Sequence, residues 1–175
     1  MDIYEAIKNR VSIRSYKSDK IELEKVKKIV NAACLAPSWG NKQCWKFIIV
    51  DRMVEKNLLG KASNQPIIAQ ACIEAPYVIV LCANPRESGA KNGMEYYSFD
   101  CALAMENLVL AAHAEGLATC IVGWFDEKVV KGILNIPEDI KVLAFTPLGY
   151  AKEETKHSTR KKPEQTIFYN TWQGT

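Results

Sequence analysis

The residues of this chain with chemical potential gather in two short stretches. The first is Arg10-Val11-Ser12-Ile13-Arg14, where two arginines and a serine alternate over five positions. In an extended segment alternate side chains share a face, so Arg10, Ser12 and Arg14 point the same way. Such a row suits one long anion, with a phosphate at one end and an electron-rich ring at the other. Arginine serves both ends because its planar fork pairs bidentately and keeps its charge. Taken alone, R-x-S-x-R reads more readily as a solvated basic strand edge. The second stretch, Pro37-Ser38-Trp39-Gly40-Asn41-Lys42-Gln43-Cys44-Trp45, shifts that balance.

Other chemistries find little support. Six cysteines stand at 34, 44, 72, 82, 101 and 120 with no C-x-x-C pair, and there are two histidines, His113 and His157. That argues against a zinc or iron–sulfur site, and no metal is expected. Cys82 and Cys120 sit inside apolar runs, as small core residues with free thiols. His113 reads as a satisfied core histidine in mid-helix, and Glu153-Glu154 as a solvated turn. No nucleophile or general base stands out.

The 175 residues suit one domain with a substantial core, 48% hydrophobic and 25% charged. A net charge of +3, from 23 Lys+Arg against 20 Asp+Glu, is too balanced for a nucleic-acid partner. The most apolar region, Cys101 to Cys120, is broken by Glu106, Asn107, His113 and Glu115, so no membrane span is expected. The start, Met1-Asp2-Ile3-Tyr4-Glu5, lacks signal-peptide character, and a cytoplasmic location is expected.

The elements that must position the two stretches follow from periodicity. Asp2 with Glu5 is a capping-box-like start to a helix ending near Asn9, which delivers the Arg10–Arg14 segment. A second helix is predicted from about Glu22 to Leu35, with Leu23, Val26, Ile29, Val30 and Ala33 on one stripe, stopped by Pro37. Strands are predicted over Trp45–Val50, Tyr77–Ala83, Leu117–Trp124 and Val142–Tyr150. Residues 51–74 form one or two helices broken near Pro66. The longest helix spans Met94 to Glu115, apolar on most faces and therefore buried, with Gly116 as its stop. Asp126 caps a short helix to Leu134. The tail from Ala151 is charged, then aromatic through Ile167-Phe168-Tyr169-Asn170-Thr171-Trp172, and is expected to lie against protein. Helices separating short strands give a central sheet covered by helices, in the α+β or α/β range.

With both stretches placed, the chain resembles the flavin-dependent nitroreductase family over nearly its whole length. Arg10–Arg14 resembles the family's R-x-S-x-R element, and Pro37–Trp45 its P-S-x-x-N-x-Q-P-W loop. Glu115-Gly116-Leu117-Ala118-Thr119-Cys120 followed by Gly123 resembles the segment after its central helix. Arg160-Lys161-Lys162-Pro163, with Tyr169 and Trp172, resembles its C-terminus. The resemblance implies an α+β fold of three layers, α/β/α, with a mixed, largely antiparallel sheet. It also implies a domain-exchanged homodimer, in which residues 1–175 form a single domain and 151–175 an extension packed on the partner subunit. FMN would lie in the dimer interface. Arg10 and Ser12 would sit near its phosphate and ribityl chain, and Arg14 near the pyrimidine edge, where a cation favours two-electron reduction. Pro37, Ser38 and Asn41 would come from the partner, the backbone at Gly123 would face the reactive N5, and Arg160 and Lys161 would return to the phosphate. Gln70 would touch the ring edge.

The activity so implied is hydride transfer from NADH or NADPH to nitroaromatic, quinone or similar small acceptors by a ping-pong mechanism. The alternatives are a flavin storage protein, or another branch of the fold such as reductive dehalogenation or flavin-consuming chemistry. Two departures stand out. Cys44 replaces the usual proline, which implies a less rigid loop. Trp39 follows Ser38 where many members have a small residue, so its indole narrows the substrate pocket. No G-x-G-x-x-G fingerprint is present, so the nicotinamide would visit the substrate pocket.

Overall fold

The computed structural model describes residues 1–153 and 157–172; Glu154 of the acidic pair is among the residues outside them. Helix α1 (Ile3–Asn9) begins with a reciprocal cap, because the Asp2 carboxylate accepts from the N–H groups of Tyr4 and Glu5 while Glu5 accepts from the Asp2 N–H. The chain then runs extended to Tyr16 and enters α2 (Leu23–Cys34), which buries Val26, Ile29 and Ala33 and leaves Leu23 exposed. There follow β1 (Trp45–Val50), α3 (Met53–Ala62), α4 (Pro66–Glu74) and β2 (Tyr77–Ala83). A small hairpin, β3 (Ala90–Lys91) with β4 (Met94–Glu95), leads into α5 (Tyr96–Ala114), β5 (Ala118–Thr119), α6 (Glu127–Leu134) and β6 (Lys141–Gly149).

The main sheet has the order β1-β2-β6-β5, with every neighbour antiparallel. A parallel bridge between Ser12 and Thr119 continues it past β5 and makes it mixed. Strand β2 is buried on both sides, as its uninterrupted apolar run requires. Ile79, Leu81 and Ala83 pack with α2 and α5. Val78, Val80 and Cys82 face α3, α4 and α6 with Phe145. This is the expected α+β arrangement of helix, sheet and helix.

Two boundaries differ from the sequence pattern for definable reasons. Regular pairing of the third strand stops at Thr119 rather than running to Trp124. The position opposite Cys120 is Pro147, which has no N–H to give. The Cys120 N–H instead donates to Thr146 Oγ1 at 3.0 Å, and the ladder resumes at Val122, which exchanges both backbone bonds with Phe145. Helix α5 begins at Tyr96 rather than Met94, because Asn92 (φ 55°) and Gly93 (φ 76°) make the left-handed turn of the β3–β4 hairpin. Nor is α5 buried all round. Its inward face carries Asp100, Cys101, Ala104, Met105, Leu108, Val109 and Ala112, while Phe99 on the other side is 55% exposed.

Two glycines predict opposite effects on stability. A Cβ at Gly60 would come within 2.7 Å of the Ala69 Cα, where α3 and α4 cross. Gly60→Ala should therefore destabilise by about 1–3 kcal/mol. Gly132 is exposed within α6 and a Cβ there meets nothing, so Gly132→Ala should stabilise by roughly 0.5–1 kcal/mol. Thermal unfolding reads both, at about 2–4 °C per kcal/mol for a chain of this size.

Candidate functional site

The Arg10–Arg14 segment is fixed to the sheet by its apolar alternates. Val11 and Ile13 pack with Tyr16, Ala71, Ala75 and Ala118. The Ile13 N–H donates to Thr119 O at 2.9 Å. Tyr16 closes the segment: its N–H donates to Glu74 Oε2 at 2.9 Å and its hydroxyl to the Ile13 carbonyl. Ser12 and both arginines are left on the other side, and all three act on one buried thiol. Burial raises the pKa of Cys120, while the nearby Arg14, the Ser12 hydroxyl and Arg10 pull it back.

The parallel register gives the row a direction. With Ser12 opposite Thr119, Arg10 runs beside Leu117, and Arg14 runs beside Ile121 toward Gly123. The arginines are four residues apart, ~13 Å in extended chain. Each borders its own depression. Arg10 lines a cleft of about 970 Å³ with Lys17, His113, Lys152 and His157. Arg14 lines a smaller one of about 330 Å³ with Ser12, Ile67 and Gln70. Ile13 and Glu153 line both, so the two adjoin. The Gln70 amide donates to Glu74 Oε1 at 3.1 Å. Glu74 itself has a lowered pKa, chiefly because the Tyr16 N–H bonds its ionised form.

The loop after α2 lies elsewhere. The 3₁₀ turn over Trp39–Asn41 departs from helical geometry, with Gly40, Asn41 and then Gln43 all at φ between 53° and 56°. For glutamine that conformation is strained, and strain of this kind clusters at ligand sites. It is held by local bonds: the Gln43 N–H donates to Ser38 Oγ at 2.9 Å, and its side-chain amide to Asn41 O and Oδ1, both at 3.2 Å. The anchor is Asp100, near the start of α5 and 1% exposed. Its carboxylate accepts from the Trp39 N–H at 2.8 Å, from the Ser88 hydroxyl at 3.0 Å and from the Cys44 thiol at 3.7 Å. The Trp39 ring stacks on Tyr96 at 6.3 Å and lies so close over Gly89 that a Cβ there would sit 2.6 Å from it. Cys44, expected to loosen the loop, is fully buried and tied to Asp100. Trp39 keeps 45% of its surface exposed on this frame.

The structure therefore gathers Arg10, Ser12, Arg14 and Gln70 at the sheet edge and sets Pro37, Ser38, Trp39 and Asn41 apart. Gly123 follows the Arg14 end of the row. Arg160 and Lys161 are exposed, and among the described residues the Arg160 guanidinium bonds carbonyls of its own segment, Ser158 and Thr159. Two residues carry more than the sequence pattern showed. Asp100 was legible in principle, as a lone carboxylate within the apolar run Phe99–Met105. His113 is not a satisfied core histidine: its Nε2 is buried and has no hydrogen-bond partner among the described residues, and its ring faces the cleft beside Arg10. Among the described residues no three His, Cys, Asp or Glu side chains are grouped as metal ligands, and no helix is long and apolar enough to cross a membrane.

Comparison with known proteins places this arrangement. Residues 7–150 match the sequence pattern of the nitroreductase family. The chain belongs to that family. A protein of Archaeoglobus fulgidus, provisionally named NADH dehydrogenase/NAD(P)H nitroreductase, is 38% identical over 152 residues, 85% of this chain and 84% of that protein. A crystal structure of a nitroreductase family protein from Clostridium novyi NT superposes with a TM-score of 0.82 at 38% identity, covering 99% of this chain and 96% of that one. One titled an FMN-dependent nitroreductase, from Clostridium difficile R20291, superposes at 0.80 with 26% identity, covering 96% and 99%. In this nitroreductase-family chain the fold implied by the sequence motifs is the fold observed.

The Asp100 anchor predicts a specific failure. Asp100→Ala leaves the Trp39 N–H, the Ser88 hydroxyl and the Cys44 thiol without their acceptor. Each buried donor left unpaired costs about 1–3 kcal/mol. The variant should melt lower, and its tryptophan fluorescence should become more accessible to acrylamide as Trp39 loosens. Unchanged melting and quenching would show that the carboxylate does not hold the loop.

Proposed function

We propose that this chain is an FMN-dependent oxidoreductase, working as a homodimer, that passes hydride from NADH or NADPH to nitroaromatic, quinone or similar small acceptors. The observation that carries the reading is the direction of the arginine row. A polyanionic end suits the Arg10 cleft, where Lys17 and Lys152 add positive charge. An uncharged, electron-accepting ring suits the Arg14 end, where Ser12, Gln70 and the exposed backbone after Cys120 offer hydrogen bonds. The Nε2 of His113 beside Arg10, without a partner among the described residues, further supports a cleft that receives a polar group.

When bound, FMN supplies the hydride chemistry through its reactive ring. The chain's own residues do the rest. Arg10, with Arg160 and Lys161 of the tail, holds the phosphate. Ser12 bonds the ribityl chain. Arg14 lies against the pyrimidine edge and favours the negative charge that reduction places there. The backbone at Gly123 orients the reacting face. Pro37, Ser38 and Asn41 close the site from the second subunit, with Trp39 as a fixed wall that narrows the space for acceptors. One pocket then serves reductant and acceptor in turn, which is the ping-pong order.

A second subunit is supported by distance and by uncovered apolar surface. Asp100, which anchors the Trp39 loop, and His113, beside Arg10, are 13 residues apart on α5, ~20 Å along its axis. One cofactor meets both stretches most simply when they come from different chains. Ile3, Tyr4 and Ile7 of α1 and Phe99 of α5 are all more than half exposed, and Trp172 of the tail is 83% exposed. The tail stacks Phe168 on Trp172 at 4.9 Å with both rings exposed, and we place the extension 151–175 on the partner.

The purified protein should carry FMN, or take it up, and oxidise NADH or NADPH with a small quinone or nitroaromatic acceptor. A flavin carrier would bind FMN without turnover. Arg14→Ala should lower the midpoint potential of bound FMN and slow its reduction. One charge-assisted hydrogen bond contributes roughly 1.5–3 kcal/mol, equivalent to about 30–65 mV for a two-electron couple. Arg10→Ala should weaken FMN binding in both redox states about equally and leave the potential unchanged. An unchanged potential in Arg14→Ala, with only affinity lost, would reverse the assignment of the two ends. Truncation before Ile167 should weaken dimer and cofactor binding together, as read by light scattering and flavin fluorescence.

A further inference from the structure

We infer that His113 is a direct, proton-accepting ligand of the cofactor's phosphate, so that FMN binding takes up a proton at this imidazole. The inference rests on the FMN reading above and adds a residue that the family motifs do not carry.

The argument starts from an unmet hydrogen bond. His113 lies in the last turn of α5, half-buried, with Nε2 covered and without a hydrogen-bond partner among the described residues. Buried polar atoms are otherwise paired, and an orphan calls for a physical reason. The ring borders the same cleft as Arg10, which the register places at the far end of the row from Gly123. His113 is held below the usual histidine pKa, first by burial, then by Arg10 and His157. The charged and titratable groups around the cleft are the Met1 α-amino group, Arg10 after α1, Lys17 after the row, Lys152 and Glu153 after β6, and His157 of the tail. On α5 itself, Glu115 is engaged by Lys28 and Lys25 of α2. Positive charge therefore outweighs negative around an imidazole that cannot easily become positive.

A phosphomonoester seated between Arg10 and His113 would reverse these conditions. With the imidazole turned so that Nε2 meets the cleft its ring borders, the phosphate oxygens accept from Nε2, and the phosphate charge offsets that of Arg10. The position at the C-terminal end of α5 already favours an imidazolium once burial is compensated. The His113 pKa then rises on binding, and the protonated protein is the tighter binder. By linkage, FMN affinity increases as pH falls through the range between the free and bound values, by tenfold for each unit of pKa rise. Riboflavin, which has the ring but no phosphate, should show none of this.

The chain has only two histidines, so imidazole NMR on the whole protein can follow both, with His113→Gln assigning the signals. The titration is repeated for the free protein and with FMN, riboflavin or inorganic phosphate. The expected result is a His113 pKa raised by about one unit with FMN, raised also by inorganic phosphate, and unmoved by riboflavin. His113→Gln should bind FMN more weakly near pH 6.5 and lose that part of the pH dependence that wild type shows between 6.5 and 8.5, while riboflavin binding stays the same. FMN that binds without moving His113, or that moves only His157, overturns the inference. Should FMN fail to bind while inorganic phosphate raises the His113 pKa, the phosphate site stands and the cofactor reading falls. If neither ligand moves it, the site falls.

Discussion

Helix α5 sets the central constraint. Nineteen residues long and buried along one face against the sheet, it carries a functional stretch at each end. At its start, Asp100 accepts from the Trp39 N–H and so ties the loop after α2 to the helix. At its finish, Gly116 (φ 74°) turns the chain into β5, to which the Arg10–Arg14 segment is bridged. The two stretches cannot approach each other without dismantling the core, so the helix acts as a spacer. On the proposed reading, a site that draws on both takes one of them from another copy, and the apolar surfaces of α1, α5 and the tail are where such a copy would be received.

At the sheet edge, one backbone bond and one side chain do most of the ordering. The Ile13–Thr119 hydrogen bond sets the register, and buried Tyr16 prevents the row from peeling away. Tyr16 rests on Gly149, where a Cβ would come within 3.0 Å of its ring. Fixing the row in this way removes conformational freedom before any ligand arrives, which is how preorganised sites bind without an ordering cost at the moment of binding. The same logic applies to the loop, where strained φ values at Asn41 and Gln43 are sustained by bonds within the loop and by a buried carboxylate.

Much of this was legible in the sequence. The cap at Asp2, the break at Pro66, the strands at Trp45–Val50 and Tyr77–Ala83 and the stop at Gly116 all follow from local rules that the fold obeys. What was not legible depended on contacts across the chain. The interruption after Thr119 requires knowing that Pro147 lies opposite Cys120. The outward face of α5 looked buried because its residues are apolar, and hydrophobicity alone does not say whether the cover is this chain or another. His113 looked like core for the same reason. Asp100 and the Asn92-Gly93 hairpin, in contrast, left clear local signals, a single buried charge and a left-handed dipeptide, that the broader helical pattern masked. At the site, the R-x-S-x-R spacing showed which side chains share a face. Only the parallel register with Thr119 showed which end was which.

The division of the site between two chains can be measured directly. One chain would carry Arg10→Ala with Arg14→Ala, and the other Ser38→Ala with Asn41→Ala, so that neither homodimer holds FMN. The two are co-expressed with different affinity tags, and the mixed dimer is isolated and its FMN content determined. If each site takes its arginine row from one subunit and its loop from the other, one of the two sites in the mixed dimer is wholly wild type. The account predicts one FMN bound per mixed dimer at near wild-type affinity. Mixed dimers as empty as both parents would contradict it, because each chain would then be building its site alone.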